Sequence, residues 1–299
     1  MRGFEYLEPT SVSEACGLLK RYAGDAKVFA GGSGFTILMK QGLLNPKALV
    51  NIKKIKELRG IRHDPKEGLI IGALVTHHEI ETSELLKEKL PVLCELEHDV
   101  ANIRVRNMAT VGGNLASGEP LTDLPCVFIS LDSKVKISSS SGNRTLLLEK
   151  LFVDYYETAL ADDEILTEVV LPPLEPHTGI EYMRFSSSSV VDKPCIGVSV
   201  RITLDPKSRL CRSVRIALGC VAPTPMRALR AENILEGKPL DAQRLEEAAA
   251  AAGEACNPLS DLRGSEHYKR EMVRVLVRRT ALKAHERALG VERNYEKTS

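Results

Sequence analysis

Tryptophan is absent from the 299 residues, and phenylalanine and tyrosine number only six and seven. Any stacking on a flat ligand therefore falls to Tyr, Phe or Arg. No two cysteines stand in C-x-x-C spacing, and the closest of the seven, Cys211 and Cys220, are nine residues apart. That spacing argues against a zinc ribbon or a four-cysteine iron–sulfur site. The odd count gives no disulfide framework. Most of the cysteines sit in apolar patterns, where the residue acts as a small buried hydrophobe. No apolar run is long enough to cross a bilayer, and Met1-Arg2-Gly3-Phe4-Glu5 lacks an apolar signal region. Neither charge dominates, with 41 Lys+Arg against 40 Asp+Glu. A balance this close offers nothing to nucleic acid or to an anionic membrane. The expectation is a cytoplasmic protein without a membrane span.

What is present fits a globular chain with a sizeable core. Hydrophobic residues make up 43% and charged residues 27%, and the length allows two domains, possibly three. Two glycine-rich turns stand out. One is Phe29-Ala30-Gly31-Gly32-Ser33-Gly34-Phe35-Thr36, and the other is Ala109-Thr110-Val111-Gly112-Gly113-Asn114-Leu115. Glycine lets the main chain come close to a ligand, because no Cβ stands in the way. Successive N–H groups in such a turn form a concavity suited to an anion. Neither turn is a dinucleotide fingerprint, since G-x-G-x-x-G is missing, and neither is a P-loop, since no Gly-Lys-Ser/Thr follows. Each alone is equally a plain turn or a phosphate cradle. Together, with hydroxyl side chains beside the glycines, they suggest two jaws on one long ligand.

Along the chain, Ser11-Val12-Ser13-Glu14 has capping-box spacing and opens a helix ending near Gly24. Strands are expected over 27–30 and 48–52, with a short helix from Phe35 to Gln41 between them. Leu58–His63 and Leu69–Ala73 read as a hairpin about an Asp64-Pro65 turn. Thr76-His77-His78-Glu79 is a second capping box, starting helices that break near Thr82-Ser83 and reach Glu97. A helix over 124–131 follows the second glycine turn. Strands are expected at 134–137 and 144–148, joined by a Ser138–Asn143 loop, and at 165–171. Pro, Gly and polar residues cluster at 172–178, which marks a domain boundary. Three strands (180–187, 195–204, 211–221) and three helices (226–235, 240–256, 265–289) complete the chain. The last helix has apolar Met272, Val275, Leu276, Ala281, Leu282 and Ala284 at mixed three and four spacing, so it is amphipathic.

Several motifs come in a telling order. They are Ala30-Gly31-Gly32-Ser33, then Ile71-Gly72-Ala73 with Thr76-His77, then Arg106-Asn107 before Thr110-Val111-Gly112-Gly113-Asn114. Pro120, Asp123 and Pro125 follow, then Asp163-Glu164-Ile165-Leu166, and finally Ala222-Pro223-Thr224-Pro225 with Arg227-Ala228. Together they resemble the FAD-binding (medium) subunit of the molybdenum hydroxylases, the family of xanthine dehydrogenase and aerobic carbon monoxide dehydrogenase. The resemblance covers nearly the whole chain. Ser33 stands where the family usually carries Thr or His, and Gly34 and Phe35 where Leu or Asp is usual.

The resemblance implies an α+β fold: a PCMH-type, vanillyl-alcohol-oxidase-like FAD-binding domain of two subdomains over residues 1–176. A C-terminal domain over 177–290, with a three-stranded antiparallel sheet and helices, and a tail over 291–299 complete it. Phe29, Ala30, Gly31, Gly32, Ser33, Gly34, Phe35 and Thr36 would wrap the FAD pyrophosphate. Thr110, Val111, Gly112, Gly113 and Asn114 would lie along the ribityl and flavin side. Asp123 would accept hydrogen bonds from a ribityl or ribose hydroxyl, Val100 and Leu166 would pack on the cofactor, and Arg184 would lie near the flavin pyrimidine. No histidine lies in either turn, so FAD is expected to be noncovalent. No catalytic residue and no metal ligand is expected in this chain: His77 and His78 lack a third ligand nearby, and Asp162-Asp163-Glu164 reads as a solvated turn. The implied partners are a molybdenum-cofactor large subunit and a small subunit with [2Fe-2S] clusters, in a dimer of heterotrimers. Electrons would pass to NAD+, a quinone or another acceptor. The alternative is a self-sufficient flavin oxidoreductase of the same fold. It needs a catalytic acid or base from residues 180–299, where none stands out. A scaffold that has lost FAD is a third possibility, which the intact glycines and Asp123 disfavour.

Overall fold

The computed structural model describes residues 3–187, 189 and 192–290. The expected tail over 291–299 lies outside the described residues. The chain opens with β1 (Glu5–Leu7), α1 (Val12–Tyr22), β2 (Ala26–Phe29), α2 (Phe35–Lys40) and β3 (Ala48–Asn51). Ser11 caps α1 by accepting the Glu14 N–H at 3.2 Å, as its side-chain oxygen is suited to do. One face of α1, with Ala15, Cys16 and Leu19, is buried. The strands form a parallel sheet in the order β1-β3-β2. All four residues of the middle strand β3 are buried, as expected where both faces of a parallel sheet are covered.

The second subdomain carries β4 (Ile61–Asp64) and β5 (Gly68–Gly72), then a run of short helices: α3 (His77–Thr82), α4 (Glu84–Lys89), α5 (Pro91–His98), α6 (Ile103–Arg106), α7 (Val111–Ala116) and α8 (Leu124–Ser130). It closes with β6 (Lys134–Ser139), β7 (Gly142–Leu147), the small pair β8 (Phe152–Asp154) and β9 (Glu157–Thr158), and β10 (Ile165–Leu171). The large sheet runs β4-β5-β10-β6-β7 and is antiparallel, with the last strand inserted in the middle. The expected Ser138–Asn143 loop is shorter than its polarity suggests. The strands extend into it because Ser139 Oγ bonds the Ser141 N–H (3.2 Å) and the Gly142 carbonyl (3.0 Å). Every residue of α8 is buried, which marks a helix enclosed on all sides.

The C-terminal domain holds β11 (Thr178–Phe185), β12 (Ile196–Leu204), β13 (Cys211–Gly219) and β14 (Met226–Arg227), followed by α9 (Leu229–Leu235), α10 (Ala242–Ala255) and α11 (Glu266–Ala288). The three expected long strands are antiparallel neighbours, and a two-residue fourth strand joins them. Met226 and Arg227 therefore lie in the sheet and not in a helix. Pro225 precedes them, and the Ala228 N–H is taken by Ile216 O at 2.9 Å, so helix geometry starts only at Leu229. Helix α11 buries Lys269, Val273, Leu276, Val277, Thr280, Ala281, Ala284 and Ala288, one stripe of three and four spacing. Leu282 lies off that stripe and is 45% exposed. The helix crosses β11 closely: a Cβ on Gly179 would lie 2.0 Å from Ala284 O.

Candidate cofactor site

Strand β2 leads directly into the first glycine turn. None of the five N–H groups from Gly31 to Phe35 has a hydrogen-bond acceptor among the described residues. Five adjacent unpaired donors at the start of a helix make an anion seat. Gly32 has φ of +72°, a conformation that glycine adopts without strain. Gly34 is the N-cap of α2 and Phe35 its first residue. The Phe35 ring meets Phe29 edge-on, with centroids 6.2 Å apart. Thr36 donates its hydroxyl to Gly32 O at 2.7 Å, and Ala30 packs on the core of the first subdomain.

A cleft of about 460 Å³ opens over this turn. Phe29, Gly31, Gly32, Ser33 and Thr36 form one wall, and Asn102, Arg104, Val105 and Met108 face them. Lys53 completes the lining and stands 5.0 Å over the Phe29 ring. Among the described residues, neither Lys53 nor Arg104 pairs with a carboxylate. Through Phe29 and Thr36 the cleft adjoins a mostly apolar hollow of about 330 Å³ that also touches Phe4, Tyr6, Met39 and Leu49. The glycine at position 31 is what allows the two walls to meet. A Cβ there would lie 2.0 Å from Met108 O and 2.9 Å from the Ala109 Cα.

The second glycine run is not an open turn. It is the first turn of α7, with Thr110 as N-cap accepting the Gly113 N–H at 3.1 Å. The other early donors are used as well. Val111 N–H goes to Val75 O (2.9 Å), Gly112 N–H to Ala73 O (2.9 Å) and Asn114 N–H to Thr110 O (2.8 Å). Glycine is a poor helix former, and here tertiary packing overrides propensity. A Cβ on Gly112 would come 2.6 Å from the Ala73 Cβ, so the residue sets the closeness of α7 to the chain leaving β5. Gly113 faces more open space, with only Thr110 Oγ1 at 3.0 Å from an added Cβ. Val111 is fully buried. The buried Asn114 Oδ1 has no hydrogen-bond partner among the described residues.

A second polar cluster forms where β11 meets the start of α8. Asp123, 5% exposed, accepts a 2.5 Å hydrogen bond from the Tyr182 hydroxyl and lies 3.4 Å from the Arg184 guanidinium. Burial pushes the Asp123 carboxyl up, and Arg184, Tyr182 and His77 oppose that rise. Arg184 also donates to Asp99 O (2.8 Å), Ser186 Oγ (3.1 Å) and Asp192 O, while its buried Nε has no partner among the described residues. Within electrostatic reach of Asp123, His77 Nδ1 meets both Glu97 carboxylate oxygens at 2.9 and 2.8 Å, and both side chains are buried. Val100 is half-buried against the core of the second subdomain, and Leu166 is buried within it.

The fold thus brings the first glycine turn against the segment that leads into α7, and separately brings Asp123 to Arg184. Lys53, Asn102, Arg104, Val105 and Met108 escaped the sequence reading. The basic pair in Ile103-Arg104-Val105-Arg106 was a signal for them, as was Lys53 beside the end of a strand. Buried Glu97 had none, since its partner His77 is twenty residues away. Among the described residues, no group of three or more His, Cys, Asp or Glu could hold a metal, and no helix is long and apolar enough to cross a membrane.

Comparison with known proteins follows the same division of the molecule. Residues 2–174 match the family described as the FAD binding domain in molybdopterin dehydrogenase, and residues 182–284 match the CO dehydrogenase flavoprotein C-terminal domain. The chain is 33% identical over 276 residues to the carbon monoxide dehydrogenase medium chain of Hydrogenophaga pseudoflava, covering 92% of this chain and 95% of that one. It is 32% identical to the 6-hydroxypseudooxynicotine dehydrogenase complex subunit alpha of Paenarthrobacter nicotinovorans, covering 95% of each. Among solved structures, carbon monoxide dehydrogenase from Hydrogenophaga pseudoflava superposes with a TM-score of 0.91 at 34% identity, covering 96% of this chain and 98% of that one. Quinoline 2-oxidoreductase from Pseudomonas putida 86 gives 0.88 at 29% identity, covering 96% and 99%.

Proposed function

The chain belongs to the FAD-binding, medium-subunit family of the molybdenum hydroxylases, and from that premise we propose that it is the electron outlet of such a complex. Electrons arrive from the iron–sulfur clusters of a small partner subunit, fed by a large subunit that holds the molybdenum cofactor. They leave for NAD+, a quinone or another acceptor. Bound FAD supplies the redox chemistry, accepting electrons and passing them on. This chain's own residues bind and orient it. In this reading the division between its two domains falls at residues 176 and 177.

The observation that carries the proposal is the row of five unpaired N–H groups from Gly31 to Phe35 under a cleft lined by Lys53 and Arg104. Backbone donors and two cations suit the diphosphate of FAD, because charge-assisted hydrogen bonds are the strong ones. The adjoining apolar hollow suits a flat ring such as adenine. The unpartnered Asn114 Oδ1 and Arg184 Nε offer one acceptor and one donor to the rest of the cofactor. Asp123 is already held ready by Tyr182 and Arg184 to accept a hydroxyl.

Purification tests this directly. The full chain is expected to be yellow and to release FAD on denaturation, and to be recovered with a large molybdenum subunit and a small iron–sulfur subunit from its native host. A colourless chain that ignores added FAD overturns the cofactor assignment. A flavoprotein recovered alone, turning over a substrate by itself, overturns the relay.

A further inference from the structure

His77 and Glu97 are not part of the anion seat or the cleft, yet they form a tight polar contact in the interior. His77 is 3% exposed and Glu97 fully buried. Their contact is anchored from three sides. Thr76, one residue before His77, caps α3 with a complete capping box. The His77 backbone N–H donates to Ala109 O at 3.2 Å, the residue next to the α7 cap Thr110. Glu97 lies in the last turn of α5.

The charges around the pair make it more than a packing contact. Facing His77 are Glu97 from α5, Asp123 from the start of α8 and Arg106 from the end of α6. Arg106 is engaged by Glu81 of α3 at 2.9 Å. Facing Asp123 are Tyr182 and Arg184 from β11, His77, and Asp99 at the end of α5. Arg184 therefore balances Asp123. Burial pushes the Glu97 carboxyl up; the imidazolium of His77 opposes that in direct contact, and Arg106 opposes it from farther off while paired with Glu81. An uncompensated buried charge is costly, so the pair holds its proton: burial alone would lower the imidazole, and Glu97 outweighs burial and raises it. When the proton leaves to solvent, the imidazolium becomes neutral imidazole and the buried carboxylate loses the counter-charge it touches, with only the Glu81-paired Arg106 still acting on it.

We propose that the His77–Glu97 pair carries one exchangeable proton behind the cofactor site, and that FAD is held tightly only while this proton is present. His77 is a positioning residue in this sense. Its backbone fixes the Ala109–Thr110 segment, and its charge cancels the negative charge that would otherwise stand behind Asp123 and oppose an anionic cofactor. The inference rests on the reading of this chain as an FAD protein with Asp123 facing the cofactor.

The test is the FAD dissociation constant of the full chain, read by flavin fluorescence between about pH 6 and about pH 9, a range centred above the free imidazole value. The wild-type chain is expected to lose roughly tenfold in affinity over one protonation step as pH rises, the size of a single charge change felt through a partly shielded interior. Glu97→Gln removes the charge that needs compensating, and its affinity is expected to stay flat across the same range. The double variant His77→Gln with Glu97→Gln is expected to be flat as well, while exposed His63→Gln keeps the wild-type profile. Calorimetry of the wild-type chain in buffers of different ionisation heat is expected to show proton uptake on FAD binding near the midpoint. A wild-type profile without the alkaline limb overturns the proposal, as does a limb that survives in Glu97→Gln or in the double variant, or binding without proton uptake. If the single variant does not fold, the double variant and the wild-type calorimetry decide. A wild-type chain that binds no FAD at any pH instead overturns the cofactor reading on which the proposal stands.

Discussion

Lys53 and Arg104 both line the cleft over the anion seat, and no carboxylate engages either of them among the described residues. Unpaired cations at a cleft full of free N–H groups add affinity for an anion at little cost to the fold. Replacing both, Lys53→Ala with Arg104→Ala, is expected to weaken FAD binding by about tenfold to hundredfold, because each substitution removes one charge-assisted hydrogen bond to the phosphates. Fluorescence titration would read this, and the salt dependence of binding should flatten with it. The melting temperature of the FAD-free protein should hardly move. Full FAD retention by this variant would mean that the phosphates lie elsewhere. At this scale the sequence was informative where a backbone requirement left a glycine, as at Gly31 and Gly32. It was silent about Lys53 and Glu97. A side chain that meets its partners only after folding leaves no local pattern, and long-range pairings such as His77 with Glu97 are of that kind.

The short helices were legible through their caps. Ser11 and Thr76 each take the expected N–H, because a hydroxyl placed before an apolar run has a fixed physical task, and the expected break near Thr82-Ser83 proves to be a further cap, at Ser83. The element that misled was Val111–Ala116. Two adjacent glycines suggest an open turn, yet they lie in a helix because Ala73 and Val75 take its first donors and Gly112 lets it approach. Thr110 is then the residue that ends the loop and starts the helix. Thr110→Ala removes the acceptor for the Gly113 N–H and is expected to cost about 1 kcal/mol of stability. Thermal unfolding of the FAD-free chain would show a drop of about 1–2 °C for a protein of this size. FAD affinity should fall as well, since Asn114 rides on the same turn. An unchanged melt would mean that the helix does not depend on its cap.

At the scale of the whole molecule, order along the chain was clear but the joining of its parts was not. The three long strands beyond 172–178 follow from composition and spacing. That β10 would enter the middle of the large sheet, and that α8 would pack on the C-terminal sheet while sharing a core with residues of the large one, depends on contacts between residues far apart in the chain. Asp132, two residues after α8, shows how the junction is made. It receives Arg201 at 2.5 Å and Arg215 at 3.0 Å, and Arg227 approaches to 4.0 Å. Those arginines lie on the C-terminal sheet, and Arg227 and Arg215 reach onward to Glu232 and Glu236. Burial alone would raise the Asp132 carboxyl, but Arg201 and Arg215 outweigh it and hold it below the usual range. A lowered carboxyl stabilises the fold above its ordinary, unfolded value of about 4, and that stabilisation is lost as pH falls through the lower folded value. Asp132→Asn is therefore expected to cost about 2 kcal/mol at neutral pH, less than a fully buried pair because the carboxylate is a third exposed. The difference from wild type should shrink toward zero as denaturant melts are repeated at progressively lower pH. Limited proteolysis of the variant at neutral pH should cut between the domains, near 172–178, sooner than in the wild-type chain. A difference that persists undiminished in acid would assign the effect to packing at the end of α8 and not to the charge that ties the two domains together.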